Sequence, residues 1–458
     1  MLIENRMSDS SSPFRQRALL ILGVLAFTAC YQWAYVHWLY PVFSYIGYDY
    51  NPPPIGYLFL AWMLSTLPGL WMPLSLTRPS QLAYWVLYLT VFIPSILISL
   101  FAGIDPTSEV TKLMLTLFVG FAIIGISYRR PLLKLRPPQI PSSRFWYGFT
   151  LVAGVLAVWV LVAFRGNLHI VSFLDVYDVR NAADDVMAGT WLNYPLMLLP
   201  GAINPFLMAW GLYHKKPWIF IIGALGQLLV YSSMGTKGSA TSALFIPAIY
   251  LILRKDHGRF AIRLTWSVVA LFVTLSFCAP LAGDTPGPLL WTVLFVVFSR
   301  TFGANGLLSA QYYDFFSKNP ITYMSHVHGF NWFIHYPYSN PLGIEVGTYY
   351  SGDPTYDASA HFWATDGLAG LGLPGILLVS AFCALIFWML DSVAQKHDPR
   401  FATLAISYAA YNIANGSLFT ALLSGGLGLL MVFLYLVPRE KCEVSLEPII
   451  SRSVAPVG

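Results

Sequence analysis

The sequence predicts an all-α polytopic membrane protein of about twelve transmembrane helices carrying one large extracytoplasmic loop. Three observations predict it. Of the 458 residues, 57% are hydrophobic and only 10% are charged, where a soluble domain carries about 25% charged residues. The apolar runs are continuous and near the ~20 residues that a bilayer demands, unlike the short alternating segments of a membrane β-barrel. The basic residues gather in alternate connections, the pattern left by the positive-inside rule.

The first run, 17–40, follows Arg15 and Arg17. It is long enough to span and has no small-x-small cleavage site, so it reads as a helix that stays. Further runs fall near 55–76, 81–102, 110–128, 145–164, 193–213, 217–234, 240–254, 260–281, 367–391, 400–417 and 419–437. With the N-terminus inside, the inner connections collect Arg78, Arg129, Arg130, Lys134, Arg136, Arg144, Lys215, Lys216, Arg254, Lys255, Arg259, Arg263, Lys396 and Arg400. An even number of crossings keeps these clusters on one side and makes both termini cytoplasmic. Residues 1–458 then form a single integral-membrane domain.

Two outer segments are substantial, 166–193 and 282–366. Within the second, the apolar run 288–299 is about half a span long, so it reads as an interfacial or re-entrant helix. It is expected to continue as an amphipathic helix near 300–318 lying on the membrane, with Phe302, Leu307, Ala310, Tyr313 and Phe316 at helical spacing. Asn319-Pro320 ends it, because proline cannot continue the hydrogen-bond ladder. The remainder is too long for a structureless connection and too aromatic for disorder, so it reads as a folded lid.

Several chemistries are excluded. Cys30, Cys278, Cys383 and Cys442 have neither disulfide-framework nor zinc-site spacing, and no metal or cofactor is expected. His326-x-His328 lacks the further ligands a zinc site needs. The aromatic loop has only Arg300 and Lys318 as cations, which excludes single-stranded nucleic acid.

Six basic residues stand outside the positive-inside pattern: Lys112 and Arg165 at helix ends, where they snorkel, and Arg180, Lys237, Arg300 and Lys318, of which three are site candidates. Arg180 suits a bidentate grip on phosphate, or a local pair with Asp178, Asp184 or Asp185. Lys237 sits in a Gly/Ser-rich break that could cradle an anion or simply turn between helices. Arg300 follows an apolar run directly, in reach of phosphate or snorkelling to the interface. His361, Asp366 and Glu345 are the candidates for general acid–base work in sugar transfer. Tyr313, Tyr336, Tyr338 and Trp363 are candidates for gripping sugar rings with flat faces and polar tips.

DVYDVR (175–180), SMGTKGS (233–239), RTFGANGLLSAQYYDFFSKNP (300–320), HYPY (335–338) and DASAHFWATDGLAGLGLPG (357–375) occur in that order. Together they resemble the bacterial oligosaccharide repeat-unit polymerases, the Wzy-type O-antigen and capsule polymerases, and the layout is similar to C-type glycosyltransferases. The resemblance covers mainly residues 170–395. It implies a transferase at the periplasmic face of the inner membrane that joins undecaprenyl-pyrophosphate-linked glycans without nucleotide. Membrane lipids would surround it, and a chain-length regulator is the protein partner in view. Arg180, Lys237 and Arg300 would hold the donor pyrophosphate. The alternatives are an O-antigen ligase, which transfers the glycan to lipid A-core, and a flippase or transporter.

Overall fold

The computed structural model describes residues 12–102, 104, 107–136, 138–170, 183, 186–187, 189–254, 257–283 and 287–438, and every regular element among them is helical. In chain order these are α1 (Pro13–Ile46), α2 (Ile55–Leu70), α3 (Ser80–Phe101), α4 (Ser108–Arg129), α5 (Ser142–Ala163), α6 (Asn193–Tyr213) and α7 (Pro217–Met234). Next come α8 (Lys237–Leu253), α9 (Phe260–Leu281), α10 (Leu289–Lys318), α11 (Leu342–Ser351), α12 (Trp363–Ala394), α13 (Pro399–Asn415) and α14 (Leu418–Leu436). Ten of them are long and apolar enough to cross a membrane, and α2 and α8 are shorter apolar helices. The chain is therefore an all-helical, multi-pass membrane protein.

Burial sorts the helices into centre and rim. The apolar window of α3 is 89% buried inside the protein, that of α5 only 17%. Leu151, Val155, Val158 and Val162 of α5 point outward, a stripe that only a lipid environment accommodates.

The two ends of the bundle differ in chemistry. At one end, basic side chains satisfy carbonyls left open where helices finish. Arg17 donates to Gly69 O (2.9 Å) and Met72 O (2.7 Å), Arg263 to Ile252 O (2.8 Å), and Lys396 to Tyr435 O (2.6 Å) and Val437 O (2.7 Å). Arg78 donates to Arg130 O (3.0 Å) and joins the same end. The opposite end carries the segment 319–362, with its short turn Phe330–Trp332 and α11. We call these the basic end and the loop end.

Helix α10 departs from the sequence expectation. Its second half does not lie on a surface with one wet face: Asn305 through Tyr313 are all buried. The polar residues there bond to neighbouring helices. Asn305 Nδ2 donates to Thr90 O (3.0 Å), Ser309 Oγ pairs with Ser95 Oγ (2.6 Å), and Gly306 lets the backbone approach Pro94 O. Small residues at close helix crossings and polar residues bonding across them are how helices associate in lipid. The first half packs on α1, with Trp291 against Phe43 and Phe302 against Phe27. At the far end, Tyr313 donates to Glu109 at the start of α4 (2.7 Å). Both ends of α10 thus meet the loop end, and a π-helical stretch, Phe295–Gly303, joins the halves.

Helix α12 is two helices folded against each other. Leu371 (φ −143°, ψ 17°) and Gly372 (φ 66°, ψ −150°) break it, and Pro374 opens the second arm, where its missing N–H is harmless. The first arm, 363–370, runs back along the second. Trp363 Nε1 donates to Ser380 Oγ (2.8 Å), and Gly375 lies directly on the Gly367 carbonyl. A Cβ at Gly375 would collide with that carbonyl oxygen, which is backbone and cannot swing aside. Gly375→Ala should therefore lower stability by roughly 1–3 kcal/mol, read as a depressed melting temperature of detergent-solubilised protein. An unchanged melting temperature contradicts the folded-back arrangement.

Candidate functional site

The first arm of α12 ends on an open carbonyl, Ala369 O. Thr322 closes it twice, from its N–H (2.8 Å) and its Oγ1 (2.9 Å). The chain then turns sharply through two consecutive residues with positive φ, Tyr323 (48°) and Met324 (69°). Side-chain-bearing residues adopt that region at a cost of roughly 1–2 kcal/mol each, and such strain clusters at functional sites. The turn is braced by Ser325, whose N–H (2.9 Å) and Oγ (2.6 Å) both donate to Thr322 O. Its product is a fixed place for His326.

His326 Nδ1 lies 2.7 Å from Thr322 Oγ1, and Nε2 lies 3.8 Å from Asp366 Oδ1. The His326 side chain is 9% exposed and that of Asp366 fully buried. Asp366 Oδ2 accepts the Leu418 N–H (2.6 Å), and Thr365 Oγ1 is 3.4 Å from Oδ1. A buried carboxylate is tolerated when polar partners of this kind surround it.

His326 lines a polar cavity of about 570 Å³ at the loop end. Tyr312 comes from α10, Asn331 and Tyr336 from the segment after it, Thr365 from α12, and Ser417 and Thr420 from the start of α14. Tyr336 donates to Asn340 O (2.9 Å). Burial first, then the field of Glu345, pushes its hydroxyl up to about 12, so it stays a neutral donor. The other cavities described are apolar grooves, one on α5 and one between α1 and α2.

The residues expected from sequence distribute unevenly about this cavity. Tyr336 lines it, and Asp366 lies 3.8 Å from His326 Nε2 without lining it. His361 does not line it: it is fully buried, with Nε2 3.1 Å from Asn305 O and 2.8 Å from Ser309 Oγ. Trp363 is also fully buried, its N–H on Ser380, which leaves no face for a sugar. Tyr313 is held by Glu109, and Tyr338 donates to Pro320 O. Glu345 is in the first turn of α11 and accepts from Asn340 Nδ2 (3.1 Å), away from the cavity.

Of the three cations, Arg180 lies outside the described residues, and the structure describes only the backbone of Lys237, at the first position of α8. Arg300 is half-buried in the π-helical stretch, its guanidinium 5.6 Å from the centre of the Phe295 ring. It also acts electrostatically on Tyr411 of α13, whose ring packs against Gly238 in the first turn of α8. Arg300 and the start of α8 therefore share one neighbour, Tyr411. Among the described residues, no three His, Cys, Asp or Glu side chains converge as metal ligands would, and His328 turns away from His326 to meet Trp332 edge-on.

No family model matches this chain, and no curated protein or solved structure matches it either.

His361 carries a pH prediction. Burial pushes its pKa down to about 3, while an unfolded histidine titrates near ~6.5. The unfolded chain takes up the proton first. The stabilisation is therefore complete above about pH 6.5 and is lost as the pH falls toward 3. The melting temperature should decline below about pH 6.5, and His361→Gln should make the decline shallower between about pH 6.5 and pH 5. Identical slopes for the two proteins contradict this assignment.

Proposed function

We propose that this protein polymerises undecaprenyl-pyrophosphate-linked oligosaccharide repeat units into a polysaccharide at the periplasmic face of a bacterial inner membrane. The observation that carries the reading is the polar cavity at the loop end of an otherwise apolar bundle, rimmed by tyrosine, asparagine and hydroxyl side chains. Such a lining suits a many-hydroxyl ligand: flat aromatic faces cover sugar carbons while the polar tips meet hydroxyls. The basic end faces the cytoplasm by the positive-inside rule. Both termini are then cytoplasmic, the chain crosses twelve times, and α10 dips in and returns to the periplasmic side.

Both substrates are lipid-anchored and carry pyrophosphate, so cations near the membrane boundary are required to hold the leaving group. Arg300 and the first turn of α8, which Lys237 opens, both neighbour Tyr411. With Arg180 they form the donor clamp, stabilising charge that grows on pyrophosphate as it departs. Tyr336 grips the glycan. The pyrophosphate bond supplies the driving force, so no nucleotide takes part.

Protein reconstituted in vesicles with lipid-pyrophosphate-linked repeats should produce a glycan ladder without added nucleotide. Arg180→Ala and Arg300→Ala should each slow elongation about 10²–10³-fold, the usual loss for one preorganised charge stabiliser. Full-length ladders from both variants contradict the clamp. Transfer to lipid A-core without elongation would identify a ligase, and movement of the lipid across the bilayer without transfer would identify a flippase.

A further inference from the structure

One nitrogen of His326 has no hydrogen-bond partner among the described residues. Thr322 has a single hydroxyl proton, for which the Ala369 carbonyl (2.9 Å) is an acceptor in any tautomer of His326. At 2.7 Å its oxygen is then the acceptor for the Nδ1–H of His326. That arrangement selects the tautomer with a lone pair on Nε2. Nε2 is buried, has no hydrogen bond among the described residues and belongs to a side chain lining the polar cavity. A buried polar atom left open in this way points to a group that completes it.

The neighbouring groups narrow the choice of that group. Asp366 stands 3.8 Å from Nε2, too far to accept a hydrogen bond and close enough to stabilise an imidazolium. It does not line the cavity itself, and its Oδ2 is engaged by Leu418 N–H (2.6 Å). Of the two histidines beside the first arm of α12, the His326 side chain lines the cavity and that of His361 does not. His361 is sealed against Asn305 and Ser309. Ser359, Thr365, Ser417 and Thr420 add neutral hydroxyls to a wall shared with Pro341, Leu342 and Ala360, and among the described residues no arginine or lysine lines this cavity. The lining suits an uncharged polyol more than a phosphate.

We propose that this cavity is the acceptor subsite of the transfer described above, on which this inference rests, with His326 as the base and Asp366 as a positioning residue. An acceptor sugar hydroxyl donates its proton to Nε2 as its oxygen forms a bond to the anomeric carbon of the donor. The bond from that carbon to the pyrophosphate oxygen breaks, and its electron pair leaves with the pyrophosphate. The proton rests on His326, where the Asp366 carboxylate balances the imidazolium, and passes to water before the next cycle. Donor and acceptor thus occupy different places: cations and Tyr411 for the pyrophosphate, a neutral cavity for the hydroxyl.

The test uses full-length protein in vesicles with lipid-pyrophosphate-linked repeats from the source cells. His326→Gln should slow elongation by about 10²–10⁴-fold, the range a positioned base contributes, with an unchanged melting temperature. His326→Ala should be partly rescued by added imidazole. Asp366→Asn should lower kcat and leave KM for the acceptor unchanged. Diethylpyrocarbonate should modify His326 of the unaltered protein and stop elongation, and excess acceptor oligosaccharide should protect that residue. Elongation undiminished in His326→Gln, or modification of His326 that the acceptor does not slow, overturns the base assignment while leaving the polymerase reading intact. Failure of the unaltered protein to elongate at all overturns both.

Discussion

The carbonyl of Ala369 joins the loop to the bundle. It closes a short helical arm in apolar surroundings, where an unsatisfied peptide oxygen is costly. Thr322 satisfies it with two donors, at 2.8 and 2.9 Å. Everything at the cavity depends on that junction. It holds the strained turn at Tyr323 and Met324, directs His326 inward and sets it beside Asp366, three residues before Ala369 on the same arm. Gly370 leaves the space that the Met324 side chain fills behind the turn. Without the folded-back arm of α12, Asp366 would be one more residue in a long apolar helix.

Packing within the bundle supports the junction from below. Helix α3 is enclosed on nearly all sides and gives α10 a surface of Thr90, Pro94 and Ser95 to settle on. Helix α10 in turn places Tyr312 in the cavity wall, with its hydroxyl on Ala358 O (3.1 Å). Buried hydrogen bonds take the place of a hydrophobic driving force that lipid cannot supply between helices. The basic end stays remote from this chemistry, and its arginines and lysines finish helices.

Much of this was legible in the sequence, and the failures have physical causes. Hydropathy located most of the long apolar helices because their length is dictated by the bilayer. It read 288–299 as half a span where the helix runs Leu289–Lys318, and 400–417 is not among the ten long ones. Hydropathy could not resolve 363–394, since a continuous apolar run reads the same as one helix or two folded together. The break was written in Gly372 and Pro374, within a stretch so rich in glycine that no single one stood out. In α10 the apolar spacing of Phe302, Leu307 and Phe316 was correctly read as helical. An amphipathic helix lying on the membrane would have a wet face, but Asn305, Ser309 and Gln311 are all buried. In a membrane protein such residues bond to neighbouring helices instead, as Asn305 does to Thr90 and Gln311 to Ile46 O (3.1 Å). His361 was one of three candidates for acid–base work, with Asp366 and Glu345, and it is fully buried against Asn305 and Ser309. The available cue for His326 was its place four residues after Thr322, and that spacing acquires meaning only through the positive-φ turn between them.

The acceptor glycan is assigned to the loop-end cavity. The most direct measurement is an electron cryomicroscopy map of the protein in a lipid nanodisc with a lipid-pyrophosphate oligosaccharide bound. Sugar density among Tyr336, Ser359, Thr365 and Ser417, with a hydroxyl in hydrogen-bond reach of His326 Nε2, is the result predicted. Glycan density elsewhere on the protein, with this cavity holding only water, would contradict it.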